Sequence, residues 1–190
     1  MRYADILTLF RTSLIFLIVY LVLIHFSAVI TLFIILLMFG LDGLDGTVAR
    51  YEVHKLHKTP SKYGARLDVA GDRVIEYVFW ILFVFVHIIP MFILLLIVIR
   101  HSFADAFMAA KGTSSKMKSK FAKIVYSSNI GRGGVNVVKI ITFSYLSWLY
   151  ITQNFLNANY MMVGWILTGV LFVYIMVRGI AEIYESSLND

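Results

Sequence analysis

The chain has 190 residues, of which 60% are hydrophobic and 15% charged, with a net charge of +6 and a mean hydropathy of +0.83. A soluble domain carries about 25% charged residues, so this composition excludes an ordinary soluble domain and points to a membrane protein. The chain has no cysteine, which excludes a disulfide framework and a thiol redox site.

The charges leave long gaps. Thr12 to Leu41 contains no Asp, Glu, Lys or Arg, Val74 to Ile99 contains only Glu76, and Ile140 to Val177 contains none. One crossing needs roughly 20 mainly apolar residues, so each gap exceeds a single span and the natural reading is three helical hairpins. We place helix 1 at about 6–25, preceded by a short, weakly amphipathic helix over Met1 to Phe10 at the membrane interface. This first apolar segment lacks a convincing signal-peptide cleavage site and runs straight into another apolar stretch, so it is kept as a span. Helix 2 covers about 28–49. A polar link follows over 51–62, where Thr59-Pro60-Ser61 reads as a helix-start signal. Helix 3 covers about 61–86 and helix 4 about 90–110. Lys111 to Lys123 is a basic, Ser-rich link, and Gly131-Arg132-Gly133-Gly134 is expected to break structure before helix 5 at about 136–154. Helix 6 covers about 160–183. There is no repeat and no second domain, so residues 1–190 are read as one domain.

The outer turns fall near His25-Phe26-Ser27, His87 to Pro90 and Asn154 to Asn159, and none carries a charged residue of the Asp, Glu, Lys or Arg type. All 17 Lys and Arg fall on the opposite side of this map. Lys and Arg bias loops toward the cytoplasm, so six transmembrane helices with both termini cytoplasmic are expected. The excess positive charge suits an anionic membrane surface or anionic substrates. Nucleic acid is a poor fit, because the basic groups are tethered at a bilayer face.

To reach about 20 residues, helix 2 must include Asp42 and Asp45, and helix 3 must include Asp68 and Asp72. The first pair is spaced i, i+3 and the second i, i+4, so each lies on one helix face. Helices 2 and 3 are sequential and antiparallel, so the two faces can meet. Four clustered carboxylates repel one another, and divalent cations would neutralise them. All-oxygen donors suit Mg²⁺ or Mn²⁺ over Zn²⁺, and two such ions can clamp a phosphoryl group. Gly43, Gly46, Gly64 and Gly71 lie beside these acids. They suggest close approach by a ligand or by a partner helix, the latter being ordinary small-residue packing.

The string Asp42-x2-Asp45-Gly46-x2-Ala49-Arg50, then Gly64-x3-Asp68-x3-Asp72, resembles the signature of the CDP-alcohol phosphotransferases, with all eight signature residues present. Ile6-Leu7-Thr8-Leu9-Phe10-Arg11 also resembles the usual start of family members, where an Asn often precedes; here Asp5 stands nearest. Thirteen residues separate Arg50 from Gly64, several more than the family usually has, which should enlarge the cytoplasmic link. The resemblance implies transfer of a phospho-lipid group from CDP-diacylglycerol or a similar CDP-lipid to a small alcohol, with release of CMP. It implies that Asp42, Asp45, Asp68 and Asp72 hold two Mg²⁺ or Mn²⁺ ions and that Asp72 is also the general base. Gly46, Ala49 and Gly64 would let the CDP-lipid approach the backbone, and Arg50 would hold the diphosphate or brace the acids. A homodimer is implied by the resemblance alone.

On the same face, Arg100, Lys116, Lys118, Lys120 and Arg132 are candidates for binding a phosphorylated polyol such as glycerol phosphate or inositol phosphate. The alternative for them is contact with lipid headgroups. Arg11 is either an interfacial anchor or a brace for the acids. Glu76 continues the face of Asp68 and Asp72, and His54 and His57 are read as interfacial. The competing function is a divalent-cation or proton transporter, since intramembrane carboxylates often mark ion paths; against it, the acids cluster at one end. A third reading is a structural membrane protein whose acids pair with Arg50, Arg66 and Arg73. The expected location is the plasma (inner) membrane, with the site on the cytoplasmic face.

Overall fold

Apolar runs of this length hide their backbone polar groups most readily as helices, and the described residues of the computed structural model form six. The structure describes residues 3–55, 63–111 and 129–187; at 45, 46, 49, 50, 53, 54, 65, 107–111, 129–132 and 185–187 the description stops at the backbone. The helices are α1 (Tyr3–Leu23), α2 (Ala28–His54), α3 (Gly64–Phe85), α4 (Met91–Lys111), α5 (Asn129–Ile151) and α6 (Ala158–Ser187), with one 3-10 turn at Asn154–Leu156. No strand occurs among the described residues. The Thr59-Pro60-Ser61 start signal lies outside them.

Three boundaries differ from the sequence reading. The separate amphipathic helix expected over Met1 to Phe10 is absent as such: residues from Tyr3 onward are the first turns of α1. Ala4, Asp5 and Thr8 are buried in the same stripe as Arg11, Ile15, Ile18 and Val22, so these turns pack inward instead of floating on the surface. Helix α2 continues five residues beyond the expected end. Its last turns include Glu52, buried at 1% exposure, whose two carboxylate oxygens accept the Tyr3 and Ala4 backbone N–H groups at 3.4 Å each. The unsatisfied N–H groups at a helix start favour an anion, so the end of α2 closes the start of α1. Finally, the Gly131 to Gly134 run does not break structure but forms the first turns of α5. At Gly134 a Cβ would stand 2.9 Å from Tyr174 Oη, so the missing side chain admits α6.

The chain divides into two compact units. One holds residues 1–88 and 146–156, the other 89–145 and 157–190. In the first, α1 packs against both α2 and α3. Its core includes Ile15, Ile18, Met38, Phe79, Trp80 and Phe83, all with no exposed area. In the second, α4 packs against α6, with Ile93, Ile97, Ala104, Leu171 and Ile175 buried.

Helices α1, α5 and α6 are long and apolar enough to cross a membrane, and α2 contributes a shorter apolar stretch, Ala28–Leu44. The N-terminal half of α3 carries Arg66, Asp68, Asp72, Arg73 and Glu76, and the C-terminal half of α4 carries Arg100 and Asp105, which shortens their uninterrupted apolar runs. Every helix exposes large apolar side chains, among them Phe16, Phe33, Phe85, Phe92, Ile141 and Val173. Meanwhile Thr31, Glu76, His101, Thr142 and Thr168 are buried. An apolar exterior with polar groups inside is the pattern a bilayer selects.

The outer turns share one device. His25, His87 and Gln153 have φ of 50°, 60° and 57°, the left-handed region that usually takes glycine at a helix end. His25 N–H donates to Val22 O and Phe26 N–H to Leu21 O; His87 N–H donates to Val84 O and Ile88 N–H to Phe83 O. Each turn thereby satisfies carbonyls at the helix end without glycine. His25 also stacks on Tyr150 with ring centroids 4.6 Å apart, whereas His87 is exposed. His87→Gly is therefore expected to stabilise the protein by about 1 kcal/mol by removing a left-handed side chain. His25→Gly should give no gain, because it also removes a stack worth about 0.5–1.5 kcal/mol. Thermal unfolding in detergent distinguishes the two variants.

Candidate metal centre on helices α1, α2 and α3

Three helices, α1, α2 and α3, converge on one charge cluster. Asp42 lies on α2, after Thr31, Ile35 and Met38 in the same buried stripe. Asp68 and Asp72 lie on α3, preceding Ile75, Phe79 and Phe83. The carboxylates thus take over where the apolar cores of the two helices end. One oxygen from each of Asp42, Asp68 and Asp72 falls within 4.8 Å of the others. Two carboxylates about 4 Å apart repel by about 4 kcal/mol at an effective dielectric of about 20, so the cluster needs a cation.

Among the described residues, Arg11 of α1 supplies one. Its side chain is 2% exposed, while those of Asp42, Asp68 and Asp72 are 26%, 48% and 50% exposed. The guanidinium therefore sits beneath the carboxylates, which remain open above it. Nη1 pairs with Asp42 and lies 3.0 Å from Asp72 Oδ1, and Nη2 lies 3.2 Å from Asp68 Oδ1. Of the two roles offered for Arg11 by the sequence, the structure selects the brace. All three acids meet Arg11 of α1, which the sequence reading did not count among their possible mates Arg50, Arg66 and Arg73. Its position in the stripe Ala4, Thr8, Arg11, Ile15, Ile18, Val22 was readable from the 4-3-4-3-4 spacing.

Two of the glycines beside the acids divide by role. At Gly71 a Cβ would stand 2.7 Å from Thr12 Oγ1 and 3.3 Å from Thr8 Cγ2. This glycine lets α3 close onto α1, as small residues do between membrane helices. The two Thr hydroxyls there donate to Ala4 O and Thr8 O on their own helix. At Gly43 no atom of the described residues would stand within 4 Å of a Cβ, which leaves space beside Asp42 among them.

Asp45, Gly46, Ala49 and Arg50 follow Asp42 in the unbroken helix α2, placed by backbone alone, and Gly64 opens α3. Glu76, four residues after Asp72, is buried at 2% exposure. His54 closes α2 by backbone placement, and His57 lies outside the described residues.

The basic candidates are not brought together in the description. Lys116, Lys118 and Lys120 lie outside the described residues, and Arg132 is placed on α5 by backbone alone. Arg100 is buried in the second unit, where its Nη2 lies 3.3 Å from Glu182 Oε2. Arg178 Nε lies 3.7 Å from the other oxygen of Glu182. Gly179 makes room for Arg100, since a Cβ there would collide with Nε. The i, i+4 spacing of Arg178 and Glu182 was legible on α6; the arrival of Arg100 from α4 was not.

Asp42, Asp68 and Asp72 thus form an all-oxygen cluster carried by two apolar helices and met by Arg11 of a third. The chain matches the family described as CDP-alcohol phosphatidyltransferase over residues 1–177, and it belongs to that family. No curated protein matches the chain.

The two glycines provide a test of the geometry. Gly71→Ala is expected to destabilise by roughly 1–3 kcal/mol through overpacking between α1 and α3. Gly43→Ala should be neutral or stabilising by up to about 1 kcal/mol, the usual helix gain over glycine. Thermal unfolding of the two purified variants gives the comparison; equal destabilisation by both would refute the division of roles.

Proposed function

We propose that this chain is a phospholipid-synthesising transferase that moves a phosphatidyl, or related phospho-lipid, group from a CDP-lipid to an alcohol and releases CMP. The observation that carries the reading is the convergence of Asp42, Asp68 and Asp72 within 4.8 Å in a chain of this family. The donor set fits Mg²⁺ or Mn²⁺: it is all oxygen, clustered, and partly open to solvent. Asp42, Asp68 and Asp72 would hold the metal, with Asp45 one turn along α2 as the fourth ligand. Two ions would neutralise the diphosphate and stabilise the charge that develops on the departing CMP.

The protein groups do the rest. Asp72, half exposed at the rim, accepts the proton of the acceptor hydroxyl. The oxygen so released forms a bond to the lipid-bearing phosphorus, and the bond from that phosphorus to the CMP oxygen breaks. The open space at Gly43, with Gly46, Ala49 and Gly64, supports close passage of the cytidine diphosphate along the backbone, and Arg50 holds its charge. For the acceptor, a phosphorylated polyol suits Lys116, Lys118, Lys120 and Arg132. Arg100 meets Glu182 in this structure, which supports a packing role for it. The family match runs through both packing units, which supports reading the chain as a single domain.

The direct test is CMP release from CDP-diacylglycerol by purified protein with Mn²⁺ and one acceptor at a time. Release with one acceptor establishes the class and names the substrate. Asp72→Asn should lower turnover by about 10²–10⁴-fold, the usual weight of a general base, while retaining CDP-lipid binding. Normal turnover in that variant would remove the assignment of the base.

We further propose six spans with both termini and the carboxylate centre on the cytoplasmic side of the plasma membrane. The support is the one-sided distribution of Lys and Arg and the apolar exterior of all six helices. The cysteine-free chain makes this simple to check. Ser27→Cys should react with a membrane-impermeant maleimide on intact cells, and Lys55→Cys only after permeabilisation. The reverse pattern would invert the topology.

A further inference from the structure

The proposed transfer assigns no step to Arg11, yet it is more enclosed than Asp42, Asp68 or Asp72. Its side chain is 2% exposed, and its fork reaches Asp42 and Asp72 through Nη1 and Asp68 through Nη2. These are the same three carboxylates whose oxygens converge. One buried cation therefore spans the donor set that fits a divalent ion.

The two cations compete for the same atoms. A guanidinium donates along the lone-pair directions of carboxylate oxygens, and a metal ion uses those same lone pairs. A unit positive charge held against these oxygens also repels a divalent ion bound to them, more strongly in a partly buried site than in water. The three carboxylates, for their part, converge without metal around the positive group beneath them.

We propose that Arg11 is the resident counter-cation of the centre: it holds Asp42, Asp68 and Asp72 together in the metal-free protein and gives up contacts to them when a divalent ion binds. This rests on the reading of the three acids as metal ligands. Arg11 is then a positioning residue that sets metal affinity. A group that stabilises only the metal-free state weakens metal binding by the same factor, and the protein in return does not depend on metal to stay folded.

The test uses the full chain in detergent, purified in Mn²⁺ and then stripped with EDTA. Mn²⁺ binding is titrated by electron paramagnetic resonance, and unfolding is followed with and without Mn²⁺. Wild type should remain folded in EDTA and gain less stability from Mn²⁺ than Arg11→Gln does. Arg11→Gln should lose stability in EDTA, recover it in Mn²⁺, and bind Mn²⁺ about tenfold more tightly than wild type, within the usual range of coupling between sites. Arg11→Lys, which keeps the charge without the fork, should lie between the two. Equal or weaker Mn²⁺ affinity in Arg11→Gln overturns the proposal, as does failure of that variant to fold in Mn²⁺. The control is Asp68→Asn. If it binds Mn²⁺ as wild type does, the metal reading of the three acids has failed, and the proposal falls with it for that separate reason.

Discussion

A single buried guanidinium organises the inner end of the first unit. Arg11 rises from α1 and meets Asp42 of α2 and Asp68 and Asp72 of α3. Without a cation at that place, three carboxylates drawn this close would drive α2 and α3 apart. With it, α1 becomes the element on which the other two are registered. Gly71 serves the same constraint, because α3 must approach α1 closely for the fork to reach. Glu52 serves it from the other side, fixing the first turn of α1 to the last turns of α2. The carboxylates are left partly open above the guanidinium, the condition a site for charged ligands needs.

The stripes that build the core also build the site. On α1, the positions that hold Ile15, Ile18 and Val22 deeper in the helix hold Thr8 and Arg11 nearer its start. On α2 and α3, the run of Ile35, Met38, Phe79 and Phe83 gives way to Asp42, Asp68 and Asp72 at the same end. Helical packing alone thus delivers the charged groups to one level, without any loop being asked to place them. Side chains held by rigid helices are positioned more tightly than those on loops, which suits a centre whose oxygens must keep fixed spacings.

The second unit applies the same principle to a different pair. Arg100 of α4 is buried against Glu182 of α6, with Gly179 providing the space. A buried pair of this kind is costly to break from one side, because the remaining charge stays desolvated. It fixes the register of α4 on α6 between buried Ile97 and Ala104 on one helix and beside buried Ala181 on the other.

The amino-acid sequence determined what is local. Charge-free runs indicated six helices, with turns near His25, His87 to Pro90 and Asn154 to Asn159, because helix length and apolarity are properties of contiguous residues. The i, i+3 and i, i+4 acids announced two carboxylate pairs, and the family signature was complete within 42–72. The glycine run at 131–134 misled, because its cost in an isolated helix is outweighed by the packing it permits at Tyr174. The merger of the first ten residues into α1 was hidden for a related reason: a weakly amphipathic pattern does not reveal that Glu52 will arrive from α2 to satisfy the helix start. Tertiary structure alone decided that Arg11 is the cation beneath the acids, that Gly71 faces α1 while Gly43 faces open space, and that Arg100 meets Glu182. Each of these depends on the register between helices far apart in the chain, and that register is set by the packing of whole faces, which no local spacing encodes.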